Sequence, residues 1–198
     1  MFIRHENFRS FTRHYPIVTG IIIIHILLWF VFSILPSGQQ LLYLGIGSNY
    51  DVYNGEYWRL LTPIFLHSSF SHMLFNSFSL AIFGPALERM LGKPIFIITY
   101  LLSGVLANIG TYFVAPINYY HLGSSSAIFG LFGVYLYMVI YRKDLIDHMN
   151  SQIIISILVI GMVMTFFGSN INIYAHIFGL ISGAALAPIV LRKASRFY

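Results

Sequence analysis

The chain has 198 residues, 58% hydrophobic and only 9% charged, with a net charge of +5 and no cysteine. Six acids and eleven Lys or Arg, far below the roughly 25% charged residues of a typical soluble domain, cannot coat a globule of this size and exclude a soluble globular enzyme. The 17% aromatic content excludes disorder, and the absent cysteine excludes disulfide scaffolds, thiol catalysis and thiolate metal sites.

Lipid requires every backbone polar group to be paired within the chain, and about 20 apolar residues in a helix cross a core ~30 Å thick. On that template six segments read as spans: residues 16–35, 69–89, 94–115, 125–141, 152–167 and 173–191, none with Asp, Glu, Lys or Arg in its interior. Arg4, Arg9 and Arg13 before the first span resemble the start of a signal peptide. Its apolar stretch is too long, however, and Ile34-Leu35-Pro36 is no small-residue cleavage site, so the helix is retained. Residues 36–68, with Asp51, Glu56, Trp58 and Arg59, exceed an ordinary linker and read as an ordered, partly membrane-lying outer loop with Trp58 at the interface. The division is thus an N-terminal segment 1–15, a six-helix membrane domain 16–191 and a basic tail 192–198. The chain shows no internal repeat and no low-complexity tract.

With six spans, both termini lie on one side. That side collects Arg4, Arg9, Arg13, Arg89, Lys93, Arg142, Lys143, Arg192, Lys193 and Arg196, ten of the eleven Lys and Arg, and only Arg59 lies opposite. The positive-inside rule then places both termini in the cytoplasm of a multi-pass membrane protein. The basic balance is a topology signal, so the lipid bilayer is a partner and nucleic acid is not.

Polar side chains inside a bundle are costly and mark either function or helix–helix bonds. The second span opens with His67-Ser68-Ser69-Phe70-Ser71-His72-Met73-Leu74-Phe75-Asn76, where His72 and Asn76 at i and i+4 share a face. The fourth opens with His121-Leu122-Gly123-Ser124-Ser125-Ser126-Ala127, the sixth with Tyr174-Ala175-His176-Ile177-Phe178-Gly179-Leu180-Ile181-Ser182-Gly183. All three run from outside inward. From His72 to Glu88 is 16 residues, from Ser125 to Tyr141 is 16, and from His176 to Leu191 is 15. At ~1.5 Å per residue each lies roughly 22–24 Å above the cytoplasmic end, so all three share one depth a little below the outer face.

That set fits serine-protease chemistry. A hydroxyl is a weak nucleophile until an adjacent base takes its proton, and His176 can do so for Ser125. Attack on a carbonyl creates an oxyanion that needs donors, for which Asn76, His72 and a backbone N–H near Ser125 are candidates. No carboxylate lies at this depth, so the reading is a Ser–His dyad without an orienting acid. Phe129, one turn below Ser125, can hold the imidazole by stacking. Gly179 and Gly183, with Ser126, Gly130 and Gly133 opposite, let the two backbones approach closely. Each signal alone has a plainer reading: serines cap a helix, a histidine is satisfied in a core, and Gly-xxx-Gly is packing. Their common depth favours catalysis. His25 and Asn108 read as structural, His121 as a loop residue, and His67 as serving either site solvation or loop anchoring.

At these residues the chain resembles the rhomboid family of intramembrane serine proteases, in its minimal six-helix bacterial arrangement, over nearly all the chain after the first span. Gly123-Ser124-Ser125-Ser126 is similar to the family's Gly-x-Ser-Gly, which makes Ser125 the nucleophile. Ala175-His176-Ile177-Phe178-Gly179-Leu180-Ile181-Ser182-Gly183 resembles its Ala-His-xx-Gly-xxx-Gly segment, which makes His176 the base. His72-Met73-Leu74-Phe75-Asn76 is similar to the oxyanion element, Tyr57-Trp58-Arg59 to the first-loop Trp-Arg pair, and Gly84-Pro85-Ala86-Leu87-Glu88-Arg89-Met90-Leu91-Gly92 to the Gly-xxx-Glu-xxx-Gly segment. One departure is Ser126 in place of glycine, which adds a hydroxymethyl group at the tightest point.

The resemblance implies cleavage of a peptide bond in or just outside a substrate's transmembrane helix, near the outer face, with no metal or cofactor. It also implies a polar cavity open to the outside, a capping loop at Gly168-Ser169-Asn170-Ile171-Asn172, movement of the fifth helix to admit substrate, and small residues at the cut. A proteolytically inactive relative acting as a membrane-protein escort would share the fold, but such relatives usually lack the serine and histidine kept here. A small transporter would show internal repeats, broken helices and intramembrane charge, which the sequence lacks.

Overall fold

The computed structural model describes residues 1–2, 4–167, 171–192 and 194. Helices form at each segment that the apolar runs mark. A short helix α1 (Phe8–His14) leads into α2 (Pro16–Ile34). The long connection then holds α3 (Gly38–Gly45), a two-residue strand β1 (Gly47–Ser48) and α4 (Asn49–Tyr53), followed by 3₁₀ turns at Tyr57–Leu60 and Thr62–Phe65. Next come α5 (Phe70–Leu91), α6 (Lys93–Val114), strand β2 (Tyr120–His121), α7 (Ser125–Tyr141), α8 (His148–Phe167) and α9 (Ile173–Val190). A single residue, Gly92, separates α5 from α6, and its φ of +77° explains why it is glycine.

Among the described residues four helices, α2, α6, α8 and α9, are long and apolar enough to cross a membrane. The 17-residue α7 is apolar but shorter. The 22-residue α5 is long enough, yet it carries His72, Asn76, Ser77, Glu88 and Arg89 among its apolar residues.

Two buried charged side chains hold the periphery. Tyr15 gives α2 no side-chain cap. Instead the buried Glu88 of α5 accepts the Ile17 N–H at Oε1 (3.0 Å) and the Val18 N–H at Oε2 (2.8 Å). A carboxylate at the positive end of the helix dipole thereby serves two donors with no partner inside their own helix. Arg59, 2% exposed, anchors the long loop: Nε donates to Glu56 Oε2 (2.5 Å), and Nη1 donates to the carbonyls of Tyr43 (2.6 Å) and Ile46 (2.9 Å). Asp51 Oδ2 stands 3.6 Å from Nη2. The residue 36–68 loop is therefore ordered, and its Trp58 is exposed while donating to the Leu44 carbonyl at 3.2 Å. Antiparallel pairing of Gly47 with His121 and Ser48 with Tyr120 ties it to the approach to α7, as do the Asn49 amide bonds to the Ala115 (3.2 Å) and Pro116 (3.0 Å) carbonyls.

The centre is α7, which packs most extensively on α9. The contact is backbone on backbone. A Cβ placed at Gly183 would stand 1.8 Å from the Gly130 carbonyl oxygen, one at Gly133 2.2 Å from the Leu180 carbonyl oxygen, and one at Gly179 2.4 Å from the Ser126 carbonyl oxygen. At Gly179 the tight neighbour is thus the backbone of Ser126, not its hydroxymethyl group.

Two outcomes are expected. Glu88→Ala orphans two helix N–H groups at roughly 1–3 kcal/mol each and should lower the unfolding midpoint in detergent; a wild-type midpoint would refute the capping role. Gly183→Ala forces α9 away from α7 and should cost about 1–3 kcal/mol or more. Gly20→Ala, with nothing within 4 Å of the new methyl, should be neutral or stabilising by up to about 1 kcal/mol. Equal midpoints for the two variants would contradict the close-approach argument.

Candidate active site

The loop into α7 is bent by Gly123, whose φ is +128°, and its N–H donates to the Pro63 carbonyl at 2.9 Å. A side chain is excluded there twice over. The backbone conformation disfavours one, and a Cβ would lie 2.7 Å from His72 Nε2 and 3.6 Å from Ser125 Oγ. His72 and Ser125 therefore face the same small space beside Gly123. Ser124, fully buried, stands 3.3 Å from His67 Nε2 through its hydroxyl. Of the two readings of His67, loop anchoring matches this contact. Nor does Ser124 cap α7 with its side chain. Ser125 is the first residue of a helix whose leading N–H groups no side chain occupies, in the positive end of the helix dipole.

On α5, Ser69 caps the first turn by accepting the His72 N–H at 3.2 Å, and Ser68 Oγ lies 3.3 Å from His72 Nδ1. Asn76 follows four residues on and is buried. The His67 ring packs edge-on between His72 (centroids 5.1 Å) and His25 (4.7 Å). The sequence gives His25 no partner at helical spacing; the fold supplies His67 and the Ser77 hydroxyl, 3.3 Å from Nδ1. Asn108 donates to the Leu60 carbonyl at 2.9 Å, a contact between α6 and the outer loop.

His176 lies in the first turn of α9. Asn172 caps that turn by accepting the Ala175 N–H at 3.0 Å, and its amide reaches Thr111 Oγ1 of α6 at 3.4 Å. The imidazole is buried and stacks on Phe129 with centroids 4.0 Å apart and planes 12° from parallel. Gly179, three residues after His176, lets α9 meet the first turn of α7 closely enough for this stack. At the ring's other edge, Nδ1 lies 2.7 Å from Thr165 Oγ1 of α8.

The fold thus gathers Ser125, His72 and Gly123 around one space between α5 and the start of α7, and stacks His176 of α9 on Phe129, one turn further along α7. An imidazole engaged at Nδ1 keeps Nε2 for proton transfer. A hydroxyl at an uncapped helix N-terminus lies where negative charge is favoured. Sequence analysis does not single out Thr165, because it is one of two hydroxyls, with Ser156, in a largely apolar run. Of the proposed cap, residues 168–170 lie outside the described residues, and Asn172 is the cap of α9.

Residues 54–193 match the Rhomboid domain family. A Bacillus subtilis chain, YdcA, which carries a provisional rhomboid-protease name, is 50% identical over 200 residues covering all of both chains. The rhomboid protease GluP of Bacillus subtilis is 36% identical over 89% of this chain and 35% of its own length. Rhomboid-like protease 2 of Toxoplasma gondii is 32% identical over 76% of this chain and 53% of its own. This chain therefore spans only about a third and a half, respectively, of those two relatives. With a match covering most of its length and a full-length relative at half identity, the chain belongs to the rhomboid family of intramembrane serine proteases and is an integral membrane protein.

Proposed function

We propose that the chain is an endopeptidase that cuts transmembrane segments of membrane proteins near the outer face, with Ser125 as nucleophile and His176 as general base. The observation that carries this reading is the His176 ring stacked at 4.0 Å on Phe129, one helical turn below Ser125, where two backbones meet through glycine. Nε2 takes the Ser125 proton as Oγ attacks the scissile carbonyl and returns it to the leaving amine; water then hydrolyses the acyl-enzyme by the same route. His72, whose Nε2 faces the space beside Ser125, and Asn76 below it supply donors to the oxyanion, together with N–H groups at the start of α7.

In this reading α2, α5, α6, α7, α8 and α9 all span the membrane, as one domain over residues 16–191, with both termini cytoplasmic. The distribution of Lys and Arg supports that orientation, and the full-length bacterial relative supports a plasma-membrane location. Water enters from the outer side, and the substrate helix unwinds locally to expose its peptide bond. Entry past α8 is favoured by its sparse attachment: most of its surface is exposed, and an apolar groove of about 580 Å³ runs between Leu136, Leu158, Met162, Phe166 and Leu180.

Detergent-purified protein treated with a fluorophosphonate probe should label at Ser125. Ser125→Ala and His176→Ala should lose both labelling and cleavage while keeping wild-type unfolding midpoints. Asn76→Ala should lower turnover by roughly 10²-fold. Folded wild type that does not label would favour the inactive escort instead, and wild-type turnover in Asn76→Ala would remove Asn76 from the oxyanion site.

A further inference from the structure

We infer that Thr165 is the positioning residue for His176, selecting the imidazole tautomer that a carboxylate selects in a three-membered serine-protease site. The inference rests on the Ser125–His176 reading above and adds a third side chain to it, from a different helix.

The argument is one of counting hydrogens. Thr165 Oγ1 lies 2.7 Å from the Gly161 carbonyl oxygen, one turn back in α8, and 2.7 Å from His176 Nδ1. The hydroxyl has one hydrogen. A carbonyl oxygen only accepts, so at 2.7 Å from it the hydroxyl must donate there, because two oxygens at that distance with no hydrogen between them repel. Helical threonines commonly bond the i−4 carbonyl in this way. The hydroxyl therefore faces His176 with a lone pair, and Nδ1 must be the nitrogen that carries the hydrogen. In the neutral ring this leaves Nε2 with its lone pair, the state that accepts a proton from Ser125.

The contact is sealed from water. Thr165 is 1% exposed and His176 8%. In such a site a ring of the other tautomer would set a bare Nδ1 lone pair against the Thr165 lone pair with no hydrogen between them. When Nε2 gains the Ser125 proton, the Nδ1–H stays on Thr165, and the chain Nδ1–H to Oγ1–H to Gly161 carbonyl aligns two dipoles toward the imidazolium. Phe129 fixes the plane of the ring, but stacking is blind to which nitrogen bears the hydrogen; the Thr165 contact is not.

Wild-type protein with ¹⁵N-histidine, the His176 signals assigned by their loss in His176→Gln, should show a protonated Nδ1 and an unprotonated Nε2 at neutral pH. Thr165→Val keeps the volume and removes the hydroxyl; it should lower kcat about 10–100-fold, below the roughly 10⁴-fold of a fully wrong tautomer, with KM and unfolding midpoint unchanged. Thr165→Ser should restore kcat to within a few-fold. A wild-type spectrum with the hydrogen on Nε2, an undiminished kcat in Thr165→Val, or a Ser variant as slow as the Val variant would overturn the assignment. The spectrum needs no variant at Thr165 and decides the question even where Val is not tolerated. Fluorophosphonate labelling of the wild type at Ser125, run alongside, separates the two readings: absent labelling removes the dyad itself, whereas labelling with the opposite tautomer removes only the role of Thr165.

Discussion

Everything at the proposed site depends on how near α7 and α9 can come. Lipid offers no hydrophobic drive to pull two helices together, since its tails are as apolar as the side chains, so close association in a bilayer relies on shape. Here the shape is the lack of a Cβ at Gly133, Gly179 and Gly183, which sets carbonyl oxygens of one helix against the bare backbone of the other; Gly130 offers its carbonyl oxygen to Gly183, while its own bare side faces Ser103 of α6. In the proposed mechanism, only with the two axes this close can a histidine on α9 take the proton of a side chain as short as the Ser125 hydroxyl on α7. The Phe129–His176 stack is a product of the same approach, because Phe129 Cβ lies 3.2 Å from where a Cβ of Gly179 would be.

Around that seam several polar side chains are paired with groups elsewhere in the chain. Glu88 completes the end of α2, Arg59 gathers three segments of the outer loop, and the Asn172 amide leans on Thr111. Glu88 and Arg59 place ionised groups where unpaired backbone polarity would be expensive, and the Asn172 amide ties α9 to a hydroxyl of α6. They fix the frame so that the seam need supply only proximity. The outer loop is part of that frame, holding the Gly123 turn through the Pro63 carbonyl and the β1–β2 pairing.

The helices are legible because lipid imposes a strong, simple rule on composition: α7 begins at Ser125 and ends at Tyr141, the limits of its apolar run, α2 and α9 differ from the marked segments by a residue at one end, and α6 by a residue at each end. α8 begins at His148 rather than 152, because Asp147 caps it with polar residues that a hydropathy reading assigns to a loop: its carboxylate accepts the Asn150 N–H at 2.9 Å. At the site, Ser125, His176, His72 and the glycines carry spacing signals within one helix, and so could be read. His25 beside His67, and Thr165 beside His176, are pairings between helices that no local period encodes. Sequence could say that α8 holds a threonine, but not which way it turns.

The clasp of Glu88 on α2 has a consequence for how the protein is made. The two N–H groups it serves belong to Ile17 and Val18, 71 and 70 residues earlier in the chain. At a synthesis rate of ~5–20 residues per second, roughly 4–14 s pass between translation of the donors and of their acceptor. For that interval the first long helix has an unfinished end that water must serve. The second long helix to emerge carries the finishing group at its far terminus, so the pair can close only once α5 has been built through to the side on which α2 began.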